Sequence, residues 1–249
     1  CERCQCHSKD KNTAILYTLL SQNLHPGRAR QCCLCHQHRT VQLRTPHITC
    51  QAASTVLVKT ITFMKNLPSF HQLPRQDQFL LLDSCWVPLF LLGLVQEMVT
   101  FEVMEVPAPS MLKKILLNGQ SKGQEPETTQ PTLAAVQWLQ RCLNTFWKLD
   151  LSPKEYAYLK GAILFNPAIP GLRASLHIQS LQQEAQQALQ ELLQPLHSKD
   201  QGRLSHIFSV ASTLKSIPPS LITDLFFRPI IGDTDIVEML VEMLYETSG

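Results

Sequence analysis

The stretch FMKNLPSFHQLPRQDQFLLLDSCWVPLFLLGLV, residues 63–95, decides the fold. Phe79, Leu80, Leu81, Leu82, Trp86, Leu89, Phe90, Leu91, Leu92, Leu94 and Val95 cover every side of a helix. A helix that is apolar all round is buried all round. The run from Phe79 to Val95 is 17 residues long and Asp83 interrupts it. A membrane span needs ~20 apolar residues. The stretch is therefore expected to be the central helix of a layered helical domain. Pro74 sits at its opening, and Pro88 inside it is expected to kink or divide it. At its edge Lys65, Asp77 and Gln78 lie beside apolar residues, and a site is expected there.

The rest of the chain fits that centre. It has 249 residues, 44% of them apolar and 17% charged. That suits one large domain, or one domain plus an arm, burying about three-quarters of the extended chain's surface. A formal charge of +2 gives no electrostatic case for nucleic acid. No signal peptide is visible, and Cys1 stands where an initiator Met would, so some upstream residues are expected. Of nine cysteines, seven lie in the first fifty residues. The odd number and the clustering point to a reducing compartment, with Cys85 and Cys142 as reduced core thiols.

Residues 1–51 read as a Cys/His-rich arm and residues 52–249 as the helical domain. Cys1, Cys4, Cys6 and His7 form one cluster; Cys32, Cys33, Cys35, His36 and His38 form another. Such ligands can close a tetrahedral zinc shell. The two CxxC pairs are separated by 27 residues, more than the usual ribbon spacing, so no metal is assigned and free thiols are the simpler reading. Inside the arm, Leu16, Leu19 and Leu20 fall at i, i+3 and i+4, on one face of a short helix. A helix that short is marginal alone in water and suited to folding into another protein's groove. The alternative is docking on its own domain.

From Ala52 a helical pattern runs to Lys65 and stops at Leu67-Pro68. Residues 100–106, TFEVMEV, alternate and read as a short strand or hairpin. Leu112, Ile115 and Leu116 repeat the leucine knob on a helix expected over 111–117. Leu133–Trp147, Ser152–Phe165, Leu172–Leu196, Arg203–Phe227 and Ile236–Tyr245 complete the helices. Ser152-Pro-Lys-Glu155 carries a capping-box signature, and Pro218-Pro219 breaks or kinks the penultimate helix. A third LxxLL, at Leu189, Leu192 and Leu193, continues an apolar stripe with Leu172, Leu176 and Leu181 and reads as core. No GxSxG, GxGxxG, Walker loop or HExxH is present, so no catalytic residue and no cofactor is assigned.

Several blocks together resemble the nuclear-receptor ligand-binding domain: residues 63–92, YLKGAILFNPAIPGL at 158–172, RLSHIFSVASTLKSI at 203–217 and DLFFRPIIGDTDIVEMLVEML at 224–244. They occur in the family's order over roughly residues 52–249. LKKILL, AAVQWLQRCL and LSPKEYAYLKGAILFNP bring the chain nearest to an orphan member without a DNA-binding domain. The resemblance implies an all-α, three-layer antiparallel helical sandwich with one small β-hairpin. It also implies a co-regulator groove with Lys65 at its basic end and Glu242 at its acidic end. Gln78, Phe79 and Leu82 would line that groove, with Met243 and Leu244 on the last helix.

By the same resemblance the protein is expected to be a transcriptional co-repressor of the nucleus, also found in the cytoplasm. It would bind other nuclear receptors as a heterodimer through LxxLL helices, compete with co-activators, and bring in co-repressors and histone-modifying complexes. Bile-acid, cholesterol and lipid metabolism would be its field. No direct DNA or membrane binding is expected. Many ligand-regulated members place an Arg about eleven residues after the Trp; here Glu97 stands there, which argues against an anionic ligand. The alternative is a ligand-activated receptor for a small apolar molecule.

Overall fold

A computed structural model describes residues 39–107, 131–196 and 202–246. In order the elements are β1 (Arg39–Leu43), α1 (Pro46–Lys65), α2 (Pro68–His71), α3 (Arg75–Gln96), β2 (Val103–Pro107), α4 (Leu133–Leu149), α5 (Pro153–Leu164), α6 (Ser175–Leu196), α7 (Arg203–Leu214), α8 (Pro219–Ile222), a π-turn (Thr223–Phe227), α9 (Arg228–Ile231) and α10 (Ile236–Tyr245). The leucine knobs of Leu16, Leu19 and Leu20 and of Leu112, Ile115 and Leu116 lie outside the described residues, as do the two Cys/His clusters.

The helices stack in three layers. α1 forms one face, α3, α5 and α6 the middle, and α4 and α7 the other face. The all-round apolar character of α3 explains its place: every residue from Cys85 to Val95 is buried. By length and composition α3 is the one helix among the described residues long and apolar enough to cross a membrane, yet most of it is covered by protein. α1 shows the complementary one-sided pattern, burying Cys50, Ala53, Val56, Leu57, Thr60, Ile61 and Met64. α1 and α3 touch closely at Gly93, where an added Cβ would stand 2.6 Å from Val56 Cγ1. Cys50, Cys85 and Cys142 are buried free thiols. Burial pushes the Cys85 thiol up to about 12, against weaker pulls from Ser84 and Lys215.

Polar side chains fix the joints. Asp77, fully buried, accepts from the backbone N–H groups of Arg173 (2.9 Å) and Ala174 (2.8 Å) and so holds the start of α6. The capping box at α5 forms as its sequence signals: Glu155 N–H donates to Ser152 Oγ, and Ser152 N–H to Glu155 Oε2. Arg203 then pairs with Glu155 at 3.2 Å and donates to Leu149 O at 2.9 Å, tying the starts of α5 and α7 to the end of α4.

Four expectations change. The strand over 100–106 has no hairpin partner beside it; β2 pairs antiparallel with β1, from Arg39↔Pro107 to Leu43↔Val103. The domain therefore begins inside the stretch that composition assigns to the arm: residues 39–51 supply β1 and the first turns of α1. Pro46 at the first helical position is the signal for that start. Pro88 does not divide α3, which runs unbroken from Arg75 to Gln96; packing on all sides holds the helix across its one missing N–H. Leu176 leaves the stripe and is 83% exposed, because α6 starts at Ser175 and turns Ile178 inward instead. As Pro218-Pro219 leads one to expect, the helical run over 203–227 is broken: α7 ends at Leu214, α8 starts at Pro219, and the π-turn follows.

Candidate functional site

α1 ends at Lys65 because Leu67 precedes a proline. The chain reverses through α2, plugs the corner with fully buried Phe70, and enters α3 at Arg75. Leu82 is fully buried beneath this corner, and Phe79 is 42% exposed at its surface. The ring of His71 bonds back to Lys65 O and covers the end of α1.

The last helix lies across this corner. α10 packs on α1 and α3 and buries Ile236, Leu240 and Leu244, with Met239 and Met243 half-buried. Leu240, Met243 and Leu244 stand at i, i+3 and i+4, the same spacing as the leucine knobs. Lys65 Nζ donates to Met243 O (3.1 Å) and Glu246 O (2.8 Å). A cation at a helix C-terminus meets both the orphan carbonyls and the negative end of the dipole. At the other end Asp235 caps the helix itself, accepting from Val237 N–H at 2.8 Å.

A second set of contacts surrounds Tyr245. Gln78 is buried, and its Nε2 donates to Leu73 O (2.9 Å) and His71 O (3.2 Å). That orientation leaves Oε1 as an acceptor, and the Tyr245 hydroxyl donates to it at 3.0 Å. The Arg75 guanidinium lies 4.8 Å above the Tyr245 ring centroid. Burial pushes the Tyr245 phenol up, against a smaller downward pull from Arg75.

Lys65 and Glu242 accordingly do not flank an open groove. Lys65 bonds the carbonyl of Met243, one residue beyond the exposed Glu242 and ~1.5 Å further along the same helix. Lys65 reaches the C-terminal carbonyls of α10, and α10 packs on α1 and α3 over this corner. Gln78 and Leu82 are brought together beneath it. Asp77, at the same edge in sequence, turns away to cap α6. Tyr245, Arg75 and His71 have no motif of their own in the sequence; only the fold joins them.

The centre of the domain is filled. Trp86, Phe90, Phe101, Phe226 and Phe227 are buried together in edge-to-face and tilted contacts, with ring centroids 5.1–6.5 Å apart. The π-turn contributes by turning Leu225, Phe226 and Phe227 inward in succession. Glu97 is not part of this centre. It is exposed and pairs with Lys59 at 2.9 Å, so its charge says nothing about a bound ligand. Among the described residues, two clefts are lined by side chains away from these rings. One, of about 510 Å³, lies between α6 and α7 over Gln186, Gln190, Leu204 and Phe208. The other, of about 170 Å³, lies beside Cys85, Ile163 and Lys215. Neither is lined by any of the five rings. Among the described residues no three His, Cys, Asp or Glu side chains gather as metal ligands do.

Comparison with known proteins agrees with this architecture. Residues 36–230 match the ligand-binding domain of nuclear hormone receptors, a span that also starts ahead of residue 52. The chain is 60% identical over 246 residues to human nuclear receptor subfamily 0 group B member 2, covering 97% of this chain and 96% of that one. It is 40% identical over 222 residues to pig nuclear receptor subfamily 0 group B member 1, covering 82% of this chain and 47% of that one. Among solved structures the Ultraspiracle ligand-binding domain of Drosophila melanogaster shares the fold, with a TM-score of 0.57 at 22% identity over 80% of this chain and 81% of that one. The chain belongs to the nuclear hormone receptor ligand-binding-domain family, in its branch of atypical repressor receptors: a non-enzymatic transcription regulator of the nucleus that interacts with other nuclear receptors.

Proposed function

We propose that the protein represses transcription by lending leucine-knob helices to the grooves of other nuclear receptors. Leu16/Leu19/Leu20 and Leu112/Ile115/Leu116 are the knobs, and in a partner's groove they take the place of co-activators. The domain from Arg39 onward then carries co-repressors and histone-modifying complexes to the promoter. DNA is reached through the partner. The same traffic extends to the cytoplasm, and bile-acid, cholesterol and lipid metabolism is the field of action.

The seat of α10 supports this reading. A helix bearing Leu240, Met243 and Leu244 on one face lies on a corner built from Lys65, Gln78, Phe79 and Leu82, with the lysine on its last carbonyls. That is what a leucine-knob helix requires of a receptor. Burying each leucine contributes ~1.5–3 kcal/mol, and the lysine clamp ~0.3–1 kcal/mol. The apolar contacts set affinity; the clamp sets direction and register. The filled centre favours this over a ligand-driven switch, since five aromatic rings occupy the interior.

The test is binding of the full chain to purified receptor ligand-binding domains, alongside reporter repression in cells. Leu19→Ala with Leu116→Ala is expected to abolish both. Retention of both by that double variant would overturn the reading.

A further inference from the structure

Two kinds of contact hold the C-terminal end of α10, and they differ in what they recognise. Lys65 binds backbone carbonyls. Any helix seated in that corner with the same direction presents carbonyls there, so Lys65 serves α10 and an outside helix alike. The contacts around Tyr245 are different. The hydroxyl on Gln78 and the ring under Arg75 read a tyrosine side chain that only α10 brings. Only interactions that differ between two occupants can decide between them.

The hinge of α10 is also built. α9 ends at Ile231, and Gly232 turns the chain with a φ of +60°, which favours glycine. Arg228 pins the turn, donating to Gly232 O at 2.8 Å and pairing with Asp224 at 3.2 Å. Three residues, Asp233 to Asp235, then lead into α10. The helix is thus tethered at its start and latched at its end.

We propose that Tyr245, held by Gln78 and Arg75, is a side-chain latch on α10 that sets how readily a leucine-knob helix enters the corner α10 covers. This rests on reading the corner as a groove for such helices. Entry requires α10 to leave. The apparent dissociation constant for a guest therefore equals its intrinsic value divided by the open fraction. Weakening the latch raises that fraction and tightens guest binding, without touching any residue the guest contacts.

The test uses the full chain in a Leu19→Ala background, which silences its own arm knob. The probe is a fluorescein-labelled peptide of residues 12–23, NTAILYTLLSQN, followed by anisotropy. Loss of the hydrogen bond and the cation–π contact in Tyr245→Ala is expected to tighten peptide binding roughly 5- to 30-fold. Tyr245→Phe keeps the ring and loses only the hydrogen bond, so a smaller gain, roughly fivefold, is expected. A peptide carrying Leu19→Ala should bind none of these variants, whereas Lys65→Ala, which loosens α10 and the guest alike, should shift the apparent affinity little. Hydrogen exchange of residues 236–245 supplies a readout without the peptide: both tyrosine variants are expected to exchange faster there and unchanged in α3. Equal peptide affinity and equal exchange in wild type and Tyr245→Ala would overturn the latch while leaving the groove. Failure of the peptide to bind any variant, or equal binding of the peptide carrying Leu19→Ala, would overturn the groove reading and the latch with it.

Discussion

Replacing Phe226 with alanine tests whether the domain's centre is a filled core or a ligand chamber. Phe226 is fully buried, with its ring centroid 5.1 Å from that of Phe101 and 5.9 Å from that of Phe90. Removing a buried phenylalanine ring costs about 3–5 kcal/mol, combining lost transfer energy with the void left behind. Neighbouring Phe90 and Phe227 contact each other, and Phe227 contacts Trp86, so the void is expected to collapse little on that side. At about 2–4 °C per kcal/mol for a domain of this size, the melting temperature should fall roughly 6–20 °C. An apolar void of this kind stays dry and accepts benzene. At a hundred times its dissociation constant, benzene would restore about 2.7 kcal/mol. The assay is urea unfolding by circular dichroism, with thermal melting in the presence and absence of benzene. Benzene is expected to raise the melting temperature of Phe226→Ala and leave the wild type unchanged. A loss below about 1 kcal/mol, or equal stabilisation of the wild type by benzene, would refute the reasoning.

Three further predictions follow from particular contacts. Asp77→Asn leaves one of the two backbone donors at the start of α6 unmatched and is expected to cost about 2–3 kcal/mol in chemical denaturation, with faster hydrogen exchange at Arg173 and Ala174. Gly93→Ala drives a methyl to 2.6 Å from Val56 Cγ1 and should destabilise by about 1–3 kcal/mol; Val56→Ala in the same chain should recover part of that loss in a double-mutant cycle. Cys85, moved from the usual 9.0 to about 12 by burial, should resist iodoacetamide in the folded protein at pH 8 and react once urea exposes it. Its raised pKa means the folded state holds a proton that the unfolded state releases. The stability it contributes is therefore full below pH 9.0 and declines as pH rises from there toward 12, which urea titrations across that range would measure.

The helical framework is readable because its signals are local. α3 announces itself by being apolar on all sides, α5 by its capping box, and α10 by the alternation from Ile236 to Tyr245 between Asp235 and the chain end. What escapes local reading depends on distant partners. β1 has an ordinary polar–apolar pattern, and only β2, some sixty residues on, makes it a strand. Asp77 stands beside the groove residues in sequence, yet two N–H groups near residue 173 turn it away from them. Glu97 follows Trp86 at a suggestive distance, but α3 ends at Gln96 and releases it to the surface. The site divides in the same way. Lys65, Gln78, Phe79 and Leu82 come from one continuous stretch that the family pattern marks. Nothing in the sequence tells whether α10 frames that stretch or lies upon it.

The β1–β2 ribbon has a consequence for how the protein could grip a partner. Its register sets Arg39 opposite Pro107, so the chain enters and leaves the ribbon at the same end, with the paired Cα atoms ~5 Å apart. Leu20 lies nineteen residues before Arg39, and Leu112 five residues after Pro107. Covalent geometry limits their reach from this shared root to about 65 Å and about 17 Å. Under the proposed function, chain length alone would keep the second knob within that bound of the shared root once the first is engaged, so its effective concentration would be set by the chain and not by the amount of protein.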